Sequence, residues 1–337
     1  MAEKNIYISY LRVIATVFVI LIHASTGFLN KFAPHSLDWN YANWINSFTR
    51  CSVPIFVMLS GALLIPKQED VFPFCRKRLP TLLYPFIFWT IIYLIYYFYR
   101  YTNFESLSIL RILEVSGDKI LHGANAHLWY LYMIFGIYVA IPYLSKLLKH
   151  LQQKEILLIL FLWLVSMFVM NRGFYSYVPR FDLTFFSGYI GYIILGYYMI
   201  TYPIRASKYI LLVGFISLGI ITAFGTYYLS SINKKYDPTL YNYLMPTTAF
   251  AAFFLFGYIQ KLFANQTSMP KWIAILDKYS FGIYLAHIIP LNYVHPMISK
   301  YVSTGWVIPS ATFSTLILSI LITYLLRKIP LGKYVSG

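Results

Sequence analysis

An all-α, polytopic transmembrane helix bundle of about ten spans is the fold class this sequence predicts, and three observations predict it. Hydrophobic residues make up 59% of the 337 residues, whereas charged residues make up only 11%. A soluble domain carries roughly a quarter charged residues, so the charges here are too few to coat a water-facing surface, and lipid must be the solvent for much of the chain. The apolar residues are also gathered into repeated runs of about 20, the length of a helical bilayer crossing. Finally, aromatic residues reach 20%, including 33 tyrosines, a usage that suits rings placed at membrane–water interfaces.

The runs place spans near 8–29, 43–65, 79–99, 127–148, 155–171, 184–202, 208–230, 243–263, 279–299 and 306–326. The first run follows Lys4 and so resembles a signal peptide, but its basic flank is weak and many runs follow, which predicts a retained first span. Proline and internal polar residues blur the second, third and ninth. Lysines and arginines in alternate loops set the orientation. The N-terminus and segments 66–78, 146–154, 203–208, 261–278 and 327–337 hold 16 of them, and the opposite loops hold nine, among them Arg172 and Arg180. Both termini are therefore expected in the cytoplasm. Arg12 and Arg50 fall inside spans and belong to neither set. The longest hydrophilic stretch, near 100–126, has room for a short amphipathic helix around Leu107–Val115 on the outer side, but not for a catalytic domain. Residues 1–337 thus read as one integral membrane unit whose chemistry takes place inside the bundle.

The net charge of +16 is dispersed over short loops between apolar runs. It orients the protein in the bilayer and does not predict nucleic-acid binding. The two cysteines, Cys51 and Cys75, face opposite sides in this topology, which predicts free thiols, and no Cys/His pattern predicts a metal. The two halves show no inverted hydropathy repeat of the kind many transporters carry.

A charge at membrane depth costs about 2.5–3.5 kcal/mol to insert, and such residues are functional candidates for that reason. In the first span Arg12 and His23 are eleven residues apart. At 100° per residue they fall within about 20° of one face, separated by roughly 16 Å along the axis. Arg12 lies near the cytoplasmic boundary and His23 beyond the midplane. Taken singly, either has a bland explanation: a snorkelling arginine, or a buried and satisfied histidine. A shared face favours one polar path. In the second span Arg50 lies about two turns in from the outer edge, with Asn46 one turn away on the same face. The bases Arg76, Lys77 and Arg78 open the third span and suit either anionic lipid or the phosphates of a cytosolic ligand. His127, Trp129 and Tyr130 open the fourth span from outside, as an interfacial belt or a platform for a sugar ring. Tyr284 and His287 lie in the ninth.

At these residues the chain resembles the membrane-bound acyltransferase 3 family, in particular its O-acetyltransferases of bacterial surface glycans. Arg12 followed by ten residues and His23 is the strongest element. The run Ser52–Gly61 is similar to the family's "VPxFFxxSG". His127, Leu128, Trp129 and Tyr130 with Tyr138 and Pro142, and Ser280, Gly282, Tyr284 and His287 in "S-x-G-x-Y-x-x-H", complete the likeness over nearly the whole chain. The chain departs from the family where many members carry Arg-x-x-Arg, because Arg78 is followed at the third place by Thr81.

The resemblance implies a multi-pass enzyme of the bacterial plasma membrane. Acetyl-CoA, or another short acyl-CoA, is the donor, and a hydroxyl of a cell-surface or lipid-linked glycan is the acceptor. Arg12, Arg76, Lys77 and Arg78 are then expected to contact the donor, and Asn46, His127, Trp129, Tyr284 and His287 the acceptor. His23 is expected to act as general base, since an imidazole takes up a proton near neutral pH. Arg50, judged from its depth, is expected to stabilise the oxyanion. A thioester is already activated, so no enzyme nucleophile is required, although a relay through His23 or Ser60 remains compatible with the pattern. The competing reading is a transporter, flippase or export accessory protein for a polysaccharide or lipid-linked sugar, since a polar path through ten spans serves either.

Overall fold

In the computed structural model, residues 6–102, 108–169 and 182–336 are described, and secondary structure among them is entirely helical. Lys4, Leu107, Arg172 and Arg180, used in the reading above, lie outside these residues, as does the end of the fifth span at 170–171. The long helices are α1 (Ile6–Asn30), α4 (Val71–Tyr101), α6 (Trp129–His150), α9 (Lys208–Ile232) and α13 (Thr304–Leu326). Each is apolar along most of its length and long enough to cross a membrane. A sixth such segment, Leu37–Lys67, is two helices in series, α2 (Leu37–Thr49) and α3 (Ser52–Leu64) with a short 3-10 turn. The chain is a multi-pass membrane protein.

Four of the expected spans coincide with helices that are shorter within the described residues, or interrupted. They are α7 (Gln153–Val169), α8 (Ile190–Thr201), α10 (Pro246–Leu262) and the pair α11 (Lys271–Ala286) and α12 (Ile288–Ile298). Between α4 and α6 lies α5 (Ile109–His122), none of whose residues is buried. Ser108 caps it by accepting from the Arg111 amide, and Ile109, Leu110, Leu113 and Leu121 point outward. The expected amphipathic segment is therefore real and extends seven residues past Val115. A last turn, α14 (Gly332–Val335), docks on α4, where the Trp89 indole donates to the Val335 carbonyl at 3.0 Å.

Two helix breaks have a common cause. Proline lacks an amide hydrogen and cannot bond the carbonyl four residues back. Pro54 thus leaves the Arg50 carbonyl unpaired by the helix ladder, and the chain breaks at Arg50 and Cys51 before the Ile55 amide resumes the ladder on Cys51. Pro290 does the same to Ala286, and the break falls at His287. Irregular backbone at membrane depth is tolerated where protein or a wet cavity surrounds it. Both breaks carry a polar side chain of interest.

Helix α1 runs through the middle of the bundle, packed by α2, α3, α10, α11 and α13. The closest packing is between α3 and α8. A Cβ on Gly61 would meet the Ile193 backbone, and one on Gly196 would meet the Met58 backbone. Helices without a water-driven force between them associate through such close approaches. At one end, Lys146 of α6 pairs with Asp70 at the start of α4 at 2.8 Å, and this partner holds the Asp70 carboxyl below its usual range. Cys51 is buried and Cys75 half-buried, and both are free thiols.

Candidate active site

Two cavities lie back to back along α1. The larger, of about 390 Å³, is lined by Arg12, Lys67 and Arg78 together with Ser60, Thr81, Tyr138 and Ser280, and its inner end is formed by Tyr130 and Tyr284. The smaller, of about 20 Å³, is roughly large enough for one water molecule. Its wall contains His23, His127, Trp129, Tyr243 and, again, Tyr130 and Tyr284. The two tyrosine rings meet edge to face, with centroids 5.4 Å apart. They stand between a cationic chamber and an imidazole chamber, so the single polar path expected from the shared face of Arg12 and His23 is interrupted here. Arg12 reaches the first and His23 the second, from the same helix.

Arg12 does not face its cavity alone. Its guanidinium pairs with the buried carboxylate of Asp277 in α11, which also accepts from the Ser9 hydroxyl at 2.7 Å. Asp277 stands just before the ninth span as read from sequence, in what looks like a loop. Helix α11 in fact begins at Lys271 and places Asp277 within its second turn. The spacing Asp277, Ser280, Tyr284, His287 follows one helical face, a signal that would have found it. Lys67, counted above only for orientation, lines the cavity as well.

The three consecutive bases separate. Arg78 lines the cavity, with Glu69 3.9 Å away and its own Nε buried without a partner. Arg76 and Lys77 lie outside, along an open groove with Phe72 and Pro73, where Lys77 pairs with Glu69 at 3.2 Å. Thr81, at the position of the family's second arginine, faces the cavity but donates back to the Arg78 carbonyl.

Around the smaller chamber three imidazoles gather. The ring of His23 is 5.1 Å from that of His287 and 6.4 Å from that of His127, and His127 and His287 are 5.1 Å apart. They do not converge on a metal position: among the described residues no group of three His, Cys, Asp or Glu does. The reason lies in their bonds. The Nδ1 of His287 donates to the Tyr284 carbonyl at 2.6 Å. His127 uses Nε2 toward the Leu285 carbonyl at 3.4 Å and Nδ1 toward the Asn125 side chain at 3.1 Å. The Tyr284 hydroxyl donates to the His127 carbonyl, joining α11 to the start of α6.

Trp129 stacks on Tyr243 at 5.6 Å and forms part of the chamber wall. Arg50 lines neither cavity. Its guanidinium lies over Tyr241 at 4.6 Å and over Tyr243 at 5.8 Å, so one aromatic ring separates it from the chamber. Asn46 is fully buried and lines neither cavity. It donates to the Ser25 hydroxyl and, at 3.4 Å, to the Ile22 carbonyl. It thus braces α2 against the turn of α1 that carries His23.

A family profile described as an acyltransferase domain matches residues 5–324. No curated protein matches the chain, and no solved structure does.

Proposed function

From the premise that this chain belongs to the acyltransferase 3 family, we propose that it is a membrane O-acyltransferase carrying a short acyl group from cytosolic acyl-CoA to a hydroxyl of a cell-surface or lipid-linked glycan. Acetyl-CoA is the simplest donor. The reading includes ten crossings of the plasma membrane of a bacterial cell with both termini cytoplasmic, and the 16 basic residues on one side against nine on the other support that orientation.

The observation that carries the reading is the pair of cavities sharing Tyr130 and Tyr284. Arg12, Lys67 and Arg78 supply the charge-assisted hydrogen bonds that anionic phosphates need. A pantetheine arm is long enough to carry a thioester from that chamber past the two tyrosines. On the far side His23 removes the proton of the acceptor hydroxyl as its oxygen attacks the thioester carbonyl. The carbon–sulfur bond then breaks, and the proton held by His23 goes to the leaving thiolate. The buried chamber excludes water that would hydrolyse the thioester. Trp129 and Tyr243 offer a stacked aromatic face for a sugar ring. Arg50 acts on the developing negative charge across Tyr243, a weaker contribution than direct contact would give.

Purified protein incubated with radiolabelled acetyl-CoA and candidate glycans tests the reading. Labelled glycan and free CoA are expected, and the His23→Ala variant, at unchanged abundance, should lose about 10²–10⁴-fold in rate. Transfer at the normal rate by a well-folded His23→Ala protein would remove His23 from the chemistry. Movement of glycan with no consumption of thioester would replace the enzyme with a transporter.

A further inference from the structure

His23 has no orienting partner in this structure, and the group suited to become one lies beside it. Among the described residues the His23 ring makes no hydrogen bond. A neutral imidazole carries one N–H, and a general base needs the other nitrogen bare and aimed at substrate. Something must therefore take the N–H and fix the ring. His287 is fully buried. Its Nδ1 faces the Tyr284 carbonyl, and a carbonyl only accepts, so Nδ1 carries the hydrogen and Nε2 is a bare lone pair. That Nε2 is sealed from solvent and has no hydrogen-bond partner. An N–H without an acceptor thus stands next to an acceptor without a donor, in rings 5.1 Å apart and tilted by 49°. Two imidazoles joined by a direct N–H···N bond of ordinary length have nearly that centroid separation, so the two rings already stand at the spacing such a bond requires.

We infer that His287 is the positioning residue for His23: its Nε2 accepts the His23 N–H, fixes the tautomer that leaves the opposite nitrogen free for the acceptor hydroxyl, and steadies the imidazolium while His23 holds the proton. The inference rests on the reading of His23 as general base. His127 is less suited to the role because its ring lies farther off, at 6.4 Å, and both its nitrogens face oxygen atoms of Asn125 and Leu285. The helix break caused by Pro290 is what makes the arrangement possible, because it turns the chain at the residue whose side chain must face α1. No proton leaves His23 for His287 in this scheme. His287 stays neutral throughout, and the proton balance of the reaction is unchanged.

The test compares His23→Ala, His287→Ala, His287→Gln and the double alanine variant in full-length protein, with acetyl-CoA and a transferable glycan. His287→Ala should lower kcat by about 100-fold, the scale seen when an orienting partner of a functional imidazole is removed, with KM for acetyl-CoA and glycan within about threefold of wild type. His287→Gln keeps volume and a carbonyl acceptor, and should recover about tenfold of that loss. The double alanine variant should be no slower than His23→Ala alone, because His287 acts only through His23. Equal losses in His287→Gln and His287→Ala accompanied by a lower melting temperature in both, or a further drop in the double variant, would overturn the positioning role. If His287→Ala is as fast as wild type while His23→Ala is inactive, the positioning role alone fails. If His23→Ala is itself fully active, the general-base reading beneath it fails.

Discussion

Changing Asp277 to asparagine separates the structural and functional duties of Arg12. The substitution keeps the size of the side chain and an oxygen for the Ser9 hydroxyl, and removes the charge that Arg12 faces. Breaking a buried ion pair from one side typically costs about 3–5 kcal/mol, because the remaining charge is left uncompensated. Here the Asp277 side chain is 5% exposed but Arg12 is 28% exposed toward its cavity. Water in that cavity replaces part of what the carboxylate gave, which lowers the expected cost to about 2 kcal/mol. For a chain of this size that corresponds to a fall of roughly 3 °C in melting temperature. The second effect has the opposite sign. Arg12 is released toward the cavity, so an anionic donor replaces the lost carboxylate, and CoA should raise the melting temperature of Asp277→Asn by more than it raises that of wild type. Thermal unfolding in detergent with and without saturating CoA measures both. Two outcomes would refute the reasoning: a melting temperature unchanged by the substitution, or a CoA-induced rise no larger than in wild type. The first would mean the pair contributes nothing to the fold, and the second that Arg12 does not meet the donor.

Two further predictions follow from where side chains sit relative to the cavities. Arg78→Ala should weaken acyl-CoA binding by about tenfold or more, the worth of one hydrogen bond to a charged group, whereas Arg76→Ala, outside the cavity, should change it by less than twofold; calorimetric titration with CoA distinguishes the two. Gly196→Ala forces a methyl into the Met58 backbone and should cost about 1–3 kcal/mol as overpacking, read as a lower melting temperature, while Gly136→Ala, with nothing within 4 Å, should leave stability unchanged or slightly raised.

What the sequence discloses and what it hides divide along a physical line. Helix placement is legible because hydropathy is a property of contiguous residues, and the ten apolar runs coincide with helices or broken helix pairs. The angular relation of Arg12 to His23 is legible for the same reason: both ride on one unbroken helix, and its pitch fixes their relation. The breaks at Arg50 and His287 lie just before Pro54 and Pro290, but the apolar runs read straight through both, and Pro80 and Pro85 sit inside the unbroken α4, so a proline by itself does not mark a break. By contrast, the carboxylate facing Arg12 lies 265 positions along the chain, and the rings over Arg50 belong to a segment some 190 residues away. No local pattern carries such pairings. They arise only when α11 and the turn before α10 pack beside α1 and α2. The three neighbouring bases show the limit in another way. Two residues, about half a helical turn, separate an arginine inside a cavity from one on an open surface, and charge counting treats them alike.

The partition made by Tyr130 and Tyr284 is the feature least accessible to sequence reasoning. On the proposed mechanism, a continuous wet tunnel from Arg12 to His23 would let water reach a thioester as readily as a sugar does. Two rings in edge-to-face contact, contributed by α6 and α11, instead stand between the two cavities. The Tyr284 hydroxyl is tied to the His127 carbonyl, and the His287 imidazole is tied to the Tyr284 carbonyl. Ring, backbone and imidazole therefore form one connected unit at the end of α11.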